Sequence, residues 1–347
     1  MSTIKIFYPP SRMNFIKFNG HETSVSNLLF EVSVLLFVLS PAPGYHSFEA
    51  DCMGTKFSLL IDHDNAEKAR IGAKMAFKEA ERLDGILSDY DQESEVSQFS
   101  QSSYSGEKRA LSKDLFKVLE HGNQLALETN GSFDMTIGHL SRLWRIARFR
   151  KKLPTAEKLT KALSLSGSDS LKLFPEKSEG MLTKPGILLD LGGIAKGYAA
   201  DCMKERLTLL GLPRCLIDAG GDLVAGDPPR GKKGWRVKVG GIAGGFLPNL
   251  ILSNAAIATS GDIEQYIRFG EKKYSHLIDP SSGMGLISQT QLTVVAPTGL
   301  EADSLASAGI VLGIERSRSL FSGKKGTQAY FLFRKDNQIC LTQIKGG

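Results

Sequence analysis

The chain has 347 residues, 41% of them hydrophobic and 23% charged, an ordinary globular composition that excludes disordered and fibrous classes. Its 43 Lys and Arg stand against 37 Asp and Glu, leaving a net charge of +6. So small and diffuse an excess suits an anionic ligand such as a nucleotide and excludes the clustered basic face of a nucleic-acid binder.

In chain order, the first signal is LLFEVSVLLFVL from Leu28 to Leu39, with Lys17 ahead of it and SPAPG behind it at Ser40 to Gly44. This is the length of a signal-peptide core and too short to span a bilayer, although Glu31 inside the run also allows a buried or membrane-surface helix. It divides the chain into an export segment, residues 1–47, and a globular domain, residues 48–347. The expected location is therefore periplasmic or otherwise exported, with inner-membrane association and membrane proximity. No cysteine directly follows the run, so no lipid anchor is expected. Phe57 to Ile61 predicts a strand. Asn65 caps a helix whose Ala69, Ala73, Ala76, Ala80, Leu83 and Leu87 recur at helical spacing. Ser112 opens another helix, with Leu115, Val118, Leu119, Leu125 and Ala126 on one face and Gly131 just past its end. The basic run Arg142, Arg145, Arg148, Arg150, Lys151 and Lys152 reads as a solvated helix end or flap.

From Ile187 the pattern changes to short apolar strands, ILLD at 187–190, CLID at 215–218 and the alternating WRVKV at 235–239, with a helix from Lys196 to Leu210 between the first two. LTVVA at 292–296 precedes a helix from Ala302 to Leu312, and AYFLF and ICLTQ close the chain as strands. Strands and helices mix without strict alternation, so the fold class is α+β, a mixed α/β arrangement. Cys52, Cys202, Cys215 and Cys340 are far apart and form no CxxC pair, which weakens zinc and disulfide-framework readings; Cys202 and Cys215 read as small core residues.

Five motifs can carry chemistry. In LDLGGIAKGYAAD, Leu189 to Asp201, two glycines stand between a strand end and a helix start, where backbone N–H groups can meet a phosphate; the segment is neither a Walker loop nor a dinucleotide fingerprint, and it also reads as a plain tight turn. DAGGDLVAGD at 218–227 reads as a turn between strands. AIATSGDIEQYI at 256–267 leads into YSHLIDPSSG at 274–283, where His276 and Asp279 lie three apart, either structural or catalytic. In EADSLASAGIVLG, 301–313, Asp303 and Ser307 are four apart and share a helix face, an arrangement suited to a hard cation such as magnesium or to a capped helix with a small-residue face. In GSFDMTIGHLSRLW, 131–144, Phe133 and Asp134 enter a turn, holding a ring system or serving as core.

Taken in order, these motifs resemble the FAD:protein FMN transferases, the ApbE family. The resemblance runs from Met53 to about Gly313 and includes MGT at 53–55, LSDYDQESEVSQF at 87–99, GSFDMTIGHL, DLGGIAKGYAAD, DAGGD, ATSGD, YSHLIDPSSG and VVAPTGLEADSLASAGIVLG. It implies an ApbE-like flavin transferase fold for 48–347, mixed sheets flanked by helices with a ligand cleft between them. It implies an enzyme that moves the FMN part of FAD through a phosphoester bond to a Thr or Ser hydroxyl of a target protein, with Mg2+ as cofactor, FAD as substrate and AMP released. Carried over by motif, Met53, Tyr90, Ser132, Phe133, Asp134, Asp190, Lys196, Ile278 and Asp279 would contact FAD. Side chains of Asp303 and Ser307 and carbonyls of Gly193 and Ala306 would hold the metal, and His276 would be catalytic. The acceptor would be a redox-complex subunit, of the sodium-pumping NADH:quinone reductase type, with no nucleic-acid partner. Ser307 stands where the family usually has Thr, Ser281 and Ser282 where Arg-Thr is usual, and Ser132 where Ala is common. Two rival readings remain, an FAD pyrophosphatase giving FMN and AMP, and a non-catalytic FAD-binding protein.

Overall fold

The computed structural model describes residues 5–6, 44–239, 249–261, 266–270, 272–335 and 338–347. Of the export segment expected at 1–47, only residues 5–6 and 44–47 are described; the Leu28 to Leu39 run lies outside the described residues, as do residues 262–265 of the Ala256 to Ile267 motif. Among the described residues no helix is long and apolar enough to cross a membrane.

Eight strands form the central sheet, in the spatial order Gln338–Lys345, Gln328–Lys335, Thr290–Ala296, Ala255–Gly261, Asp222–Ala225, Cys215–Ala219, Thr55–Asp62 and Tyr45–Cys52, with every neighbouring pair antiparallel. The strand at Tyr45 thus begins ahead of the boundary expected at residue 48. Period-two alternation sends side chains to two apolar layers. Cys215, Ile217 and Ala219 face one layer while Leu216 faces the other; likewise Ala256 and Ala258 oppose Ile257, and Ala329 and Phe331 oppose Tyr330 and Leu332. The first layer is the main core, filled by helices Ala66–Leu87, Ala195–Leu209 and Gly299–Ser322. The second is closed by Trp235, Val237 and Leu252 from the small sheet of strands Trp235–Lys238 and Leu250–Leu252.

Local signals explain most boundaries. Asn65 caps the first helix by accepting the Lys68 N–H at 2.8 Å, and Ser112 caps the Lys113–Glu128 helix by accepting the Leu115 N–H at 3.2 Å. Gly131 follows that helix at φ +77°, its N–H donating to the Ala126 carbonyl at 2.8 Å, a left-handed exit that suits glycine. The helix expected at Ala302–Leu312 is longer, Gly299–Ser322, interrupted at Gly313 where φ is +73°. Thr298 caps it by accepting the Glu301 N–H, with Glu301 accepting from the Thr298 hydroxyl in return.

Ile187 to Asp190 is not a sheet strand. It makes one parallel bridge, Leu188 to Ile137, while Leu188 O accepts the Gly138 N–H and Asp190 N donates to Met135 O. Ile187, Leu189 and Leu191 are buried while Leu188 and Asp190 between them are partly exposed, so an extended segment lying on the core shows the alternation of a strand without a sheet ladder. Its pairing with the Met135–Gly138 turn joins two of the five motifs.

The Ala195–Leu209 and Gly299–Ser322 helices touch at Gly197 and Gly299. A Cβ on either would collide with the carbonyl oxygen of the other. In a helix interior Gly→Ala ordinarily gains about 1 kcal/mol. Here the obstacle is backbone, so overpacking at about 1–3 kcal/mol should win. We expect Gly197→Ala to lower the free energy of unfolding in urea denaturation; a neutral or stabilised variant would show that the helices do not meet this closely.

Candidate active site

Two close contacts assemble the centre. Gly193 precedes the Ala195–Leu209 helix, and a Cβ added to it would lie 2.7 Å from Ser307 Oγ and 3.7 Å from Phe133 Cε2. The missing side chain therefore lets the double-glycine loop lie against the hydroxyl of the Gly299–Ser322 helix. Four residues on, Gly197 N–H donates to Asp303 Oδ2 at 3.1 Å. Asp303 is 4% exposed, and Ala306 is buried on the same helix. Ser307 Oγ also lies 3.4 Å from Ser260 Oγ, which belongs to the ATSGD strand.

Lys196 forms an ion pair with Asp222, the last Asp of DAGGD, and the same turn contributes Asp218, whose Oδ1 accepts the Gly221 N–H at 2.7 Å. Burial pushes the Lys196 ammonium down, but Asp222, Asp303 and Asp218 outweigh it and hold its pKa above the usual lysine range. The carboxylates respond in the opposite sense. Asp303 is pushed up to about 7 by burial and by Asp222, with Lys196 and the Gly197 N–H opposing. Asp218 rises to about 6, again through burial first and Asp222 second. Three carboxylates thus share one lysine in a poorly solvated region, a surplus of negative charge that favours a cation.

The donor set fits a hard cation: one buried carboxylate on Asp303, one hydroxyl on Ser307, and the Gly193 backbone held against that hydroxyl by the absence of a side chain. Among the described residues no three His, Cys, Asp or Glu side chains converge as metal ligands. A cation here would consequently draw most of its oxygens from backbone, hydroxyl and ligand.

A second group lies where Asp190 meets the Gly138–Arg150 helix. Asp190 Oδ1 accepts the Gly192 N–H at 2.7 Å, and Arg145 bridges Asp190 and Asp89. Its guanidinium carbon stands 4.0 Å from the centroid of the Tyr90 ring, which is 75% exposed. Arg145 is therefore not part of a solvated end, as its basic run implied. The reading misplaced it because charge density along a sequence cannot show that one of six basic residues points back at two carboxylates.

The remaining expected residues have local partners. Met53 occupies the left-handed turn, φ +49°, of the hairpin Cys52 to Thr55, and that hairpin abuts DAGGD because a Cβ on Gly220 would meet the Thr55 side chain. The turn lines a hollow of about 490 Å³ with Glu81 and Asp84. Ser132 and Phe133 are held to Thr129, Ser132 through its N–H on the Thr129 carbonyl and Phe133 through its N–H on Thr129 Oγ1; the Phe133 ring is buried. Asp134 Oδ1 accepts from both the backbone and hydroxyl of Thr136, and burial still raises its pKa.

His276 directly follows the Lys272–Ser275 strand and is half-buried in a hairpin whose Ser275 N–H donates to Leu286 O and whose Leu286 N–H donates to Leu277 O. Ile278 is packed with Leu140, Trp144 and Ala162. Asp279 accepts from Ser281 N, Ser281 Oγ and Ser282 Oγ, bonds that outweigh its burial and keep its carboxyl below the usual range. The two serines at the unusual positions thus brace the turn.

Sequence reading passed over Asp222, Asp218, Asp201, Asp89 and Arg145. Asp222, Asp218, Asp201 and Asp89 lay inside quoted motifs as unassigned acids, and Arg145 lay in the basic run; that was the available signal.

A fold that aims a buried carboxylate, a hydroxyl and a glycine-lined helix start at one point, with a flanking lysine, defines a nucleotide- or phosphate-handling enzyme class. The particular family follows from comparison. The ApbE family model matches residues 53–331, and the chain belongs to that family. It is 29% identical over 307 residues, 84% of this chain and 87% of the relative, to the FAD:protein FMN transferase of Haemophilus influenzae. It is 31% identical over 240 residues, 64% of this chain and 66% of the relative, to the protein of the same name from Treponema pallidum. Among solved structures, the apo form of the Pseudomonas stutzeri flavinyl transferase ApbE superposes with a TM-score of 0.76 at 26% identity, covering 87% of this chain and 95% of that one. The flavin transferase ApbE of Vibrio cholerae, 23% identical, gives a TM-score of 0.76 over 86% of this chain and 97% of that one, evidence for the fold alone.

Asp201, the last residue of DLGGIAKGYAAD, accepts the N–H groups of Gly299 at 2.8 Å and Leu300 at 2.9 Å. It anchors the start of the helix carrying Asp303 and Ser307. Removing an anchor of this kind costs about 1–2 kcal/mol. Asp201→Ala should lower the thermal midpoint, and Asp201→Asn, which keeps one acceptor, should recover part of the loss; equal midpoints for all three proteins would contradict the anchoring.

Proposed function

We propose that this protein is an FAD:protein FMN transferase, attaching the FMN part of FAD to a Thr or Ser hydroxyl of an acceptor protein and releasing AMP. The observation that carries the reading is the Gly193, Gly197, Asp303 and Ser307 contact at a helix start, in a family whose named relatives perform this transfer. The chemistry is a displacement at phosphorus: the acceptor oxygen bonds to the FMN-side phosphorus of the pyrophosphate, the bridging P–O bond breaks, and AMP departs with its electron pair. Such reactions ask chiefly for positioning and neutralisation of charge.

The chain's own residues divide these tasks. Asp303 and Ser307, with the carbonyls of Gly193 and Ala306, would hold magnesium, which would supply charge neutralisation and polarisation at the pyrophosphate. Lys196, kept protonated by its carboxylate neighbours, adds fixed positive charge beside them. Tyr90 and Asp190 on one side, and Met53, Ser132, Phe133 and Asp134 on the others, shape the FAD site. His276 takes the acceptor proton, with Ile278 and Asp279 fixing its hairpin through packing and the serine-braced turn. The acceptor class is a redox-complex subunit, of the sodium-pumping NADH:quinone reductase type. The Leu28 to Leu39 run supports an exported, periplasmic location near the inner membrane.

Purified protein mixed with FAD, magnesium and a Thr-containing acceptor peptide should yield an FMN adduct by mass spectrometry, together with stoichiometric AMP. Free FMN and AMP without an adduct would make the protein a pyrophosphatase, and intact bound FAD would make it a carrier. Asp303→Ala should abolish metal-dependent turnover while FAD still binds; turnover at the wild-type rate would remove Asp303 from the metal site. His276→Ala should lower the transfer rate by about 10²–10⁴-fold with a much smaller change in FAD affinity. Equal losses in rate and affinity would make His276 a binding residue.

A further inference from the structure

We propose that Arg145 is a positioning residue for FAD recognition, clamping Tyr90 from behind and tying it to the Asp190 loop so that the outer face of the tyrosine ring is offered to a planar ring of the nucleotide. This deepens the transferase reading and rests on it.

Three contacts carry the inference. Arg145 Nη1 lies 2.7 Å from Asp89 Oδ2, Arg145 Nη2 lies 3.4 Å from Asp190 Oδ2, and the guanidinium carbon stands 4.0 Å from the Tyr90 ring centroid. One planar fork therefore joins three segments distant in sequence: the Asp89–Tyr90 loop, the Asp190–Gly193 loop and the Gly138–Arg150 helix. Asp190 in turn holds the Gly192 N–H, so the clamp continues into the double glycine that meets Ser307.

The charges explain why an arginine is needed. Asp89 is nearly buried, and burial together with Asp190 pushes its carboxyl up, while Arg145 opposes both. Without a cation between them, two neighbouring carboxylates would separate or one would take a proton. Lysine supplies the charge, but it offers neither two in-plane donors nor a flat face to stack on tyrosine.

Tyr90 supplies the functional half of the argument. It is 75% exposed, and against its ring lies the Arg145 guanidinium, itself held by two carboxylates. A ring backed by a held cation and largely exposed to solvent is a stacking surface, and restricting it beforehand lowers the ordering cost of binding.

The test compares wild type, Arg145→Lys, Tyr90→Leu and the double variant by flavin-fluorescence titration with FAD, followed by steady-state transfer kinetics. Arg145→Lys keeps a cation beside Asp89 and Asp190, and thermal melts confirm folding. Arg145→Lys should weaken FAD binding by about three- to tenfold, the range for a lost stacked cation. KM for FAD should rise in parallel while kcat changes far less. Tyr90→Leu, a change on the surface, should show a similar loss, and the double variant should bind little worse than Tyr90→Leu alone, since the two residues act as one unit. Wild-type FAD affinity in Arg145→Lys, or losses that simply add in the double variant, would overturn the clamp. Failure of the wild type itself to bind FAD would instead overturn the transferase reading, so the two failures are separable.

Discussion

Everything at the site depends on how closely two helices are allowed to approach. Gly197 and Gly299 place the Ala195–Leu209 and Gly299–Ser322 helices backbone against backbone, and Asp201 secures the second by accepting its first two N–H groups. That crossing sets where Asp303 stands, because Gly197 N–H donates to its carboxylate, and where Ser307 stands, because one further turn brings it against Gly193. The sheet beneath acts as a platform. Its Asp222–Ala225 strand begins at the carboxylate that pairs with Lys196, and its Ala255–Gly261 strand brings Ser260 to Ser307.

Such a crossing concentrates charge. Asp303, Asp222 and Asp218 surround Lys196 in a region that water reaches poorly, so Asp303 and Asp218 are pulled toward protonation and the lysine away from losing its proton. An isolated structural ion pair would balance at one acid and one base. The extra acids make sense where a ligand is to bring positive charge, and the absence of a converging three-carboxylate cage among the described residues leaves room for ligand oxygens to complete the arrangement. The hydroxyl and backbone character of the other donors points the same way.

How much of this was legible in the sequence varied with the range of the interaction. Local rules worked: Asn65 and Ser112 cap the helices they were expected to cap, Gly131 turns the chain out of a helix, and Trp235 and Val237 alternate into a buried layer. The spacing of Asp303 and Ser307 put both on one helix face, and their common neighbourhood with Gly193 follows from geometry that spacing alone does not contain. Ile187 to Asp190 was misread because alternating burial gives a strand-like pattern to a segment that makes a single bridge. Arg145 was misread because its partners, Asp89 and Asp190, are 56 and 45 residues away.

The distribution of the acids separates structure from chemistry in a way that residue type does not. Asp134 accepts from the Thr136 N–H and hydroxyl on one oxygen and also takes a backbone bond from Ser168, and Asp279 spends both oxygens on Ser281 and Ser282, so each braces a nearby loop. Asp201 likewise serves a helix end. Burial opposes the ionised form of Asp134, Asp201 and Asp303 alike, but against it Asp303 sets a single backbone N–H, that of Gly197, together with the charge of Lys196. A buried carboxylate that is weakly satisfied by the protein is costly to maintain unless another group completes it. By that argument Asp303 is the acid of this cluster with capacity left for a ligand, while the better-satisfied acids around it hold the loops and the helix start.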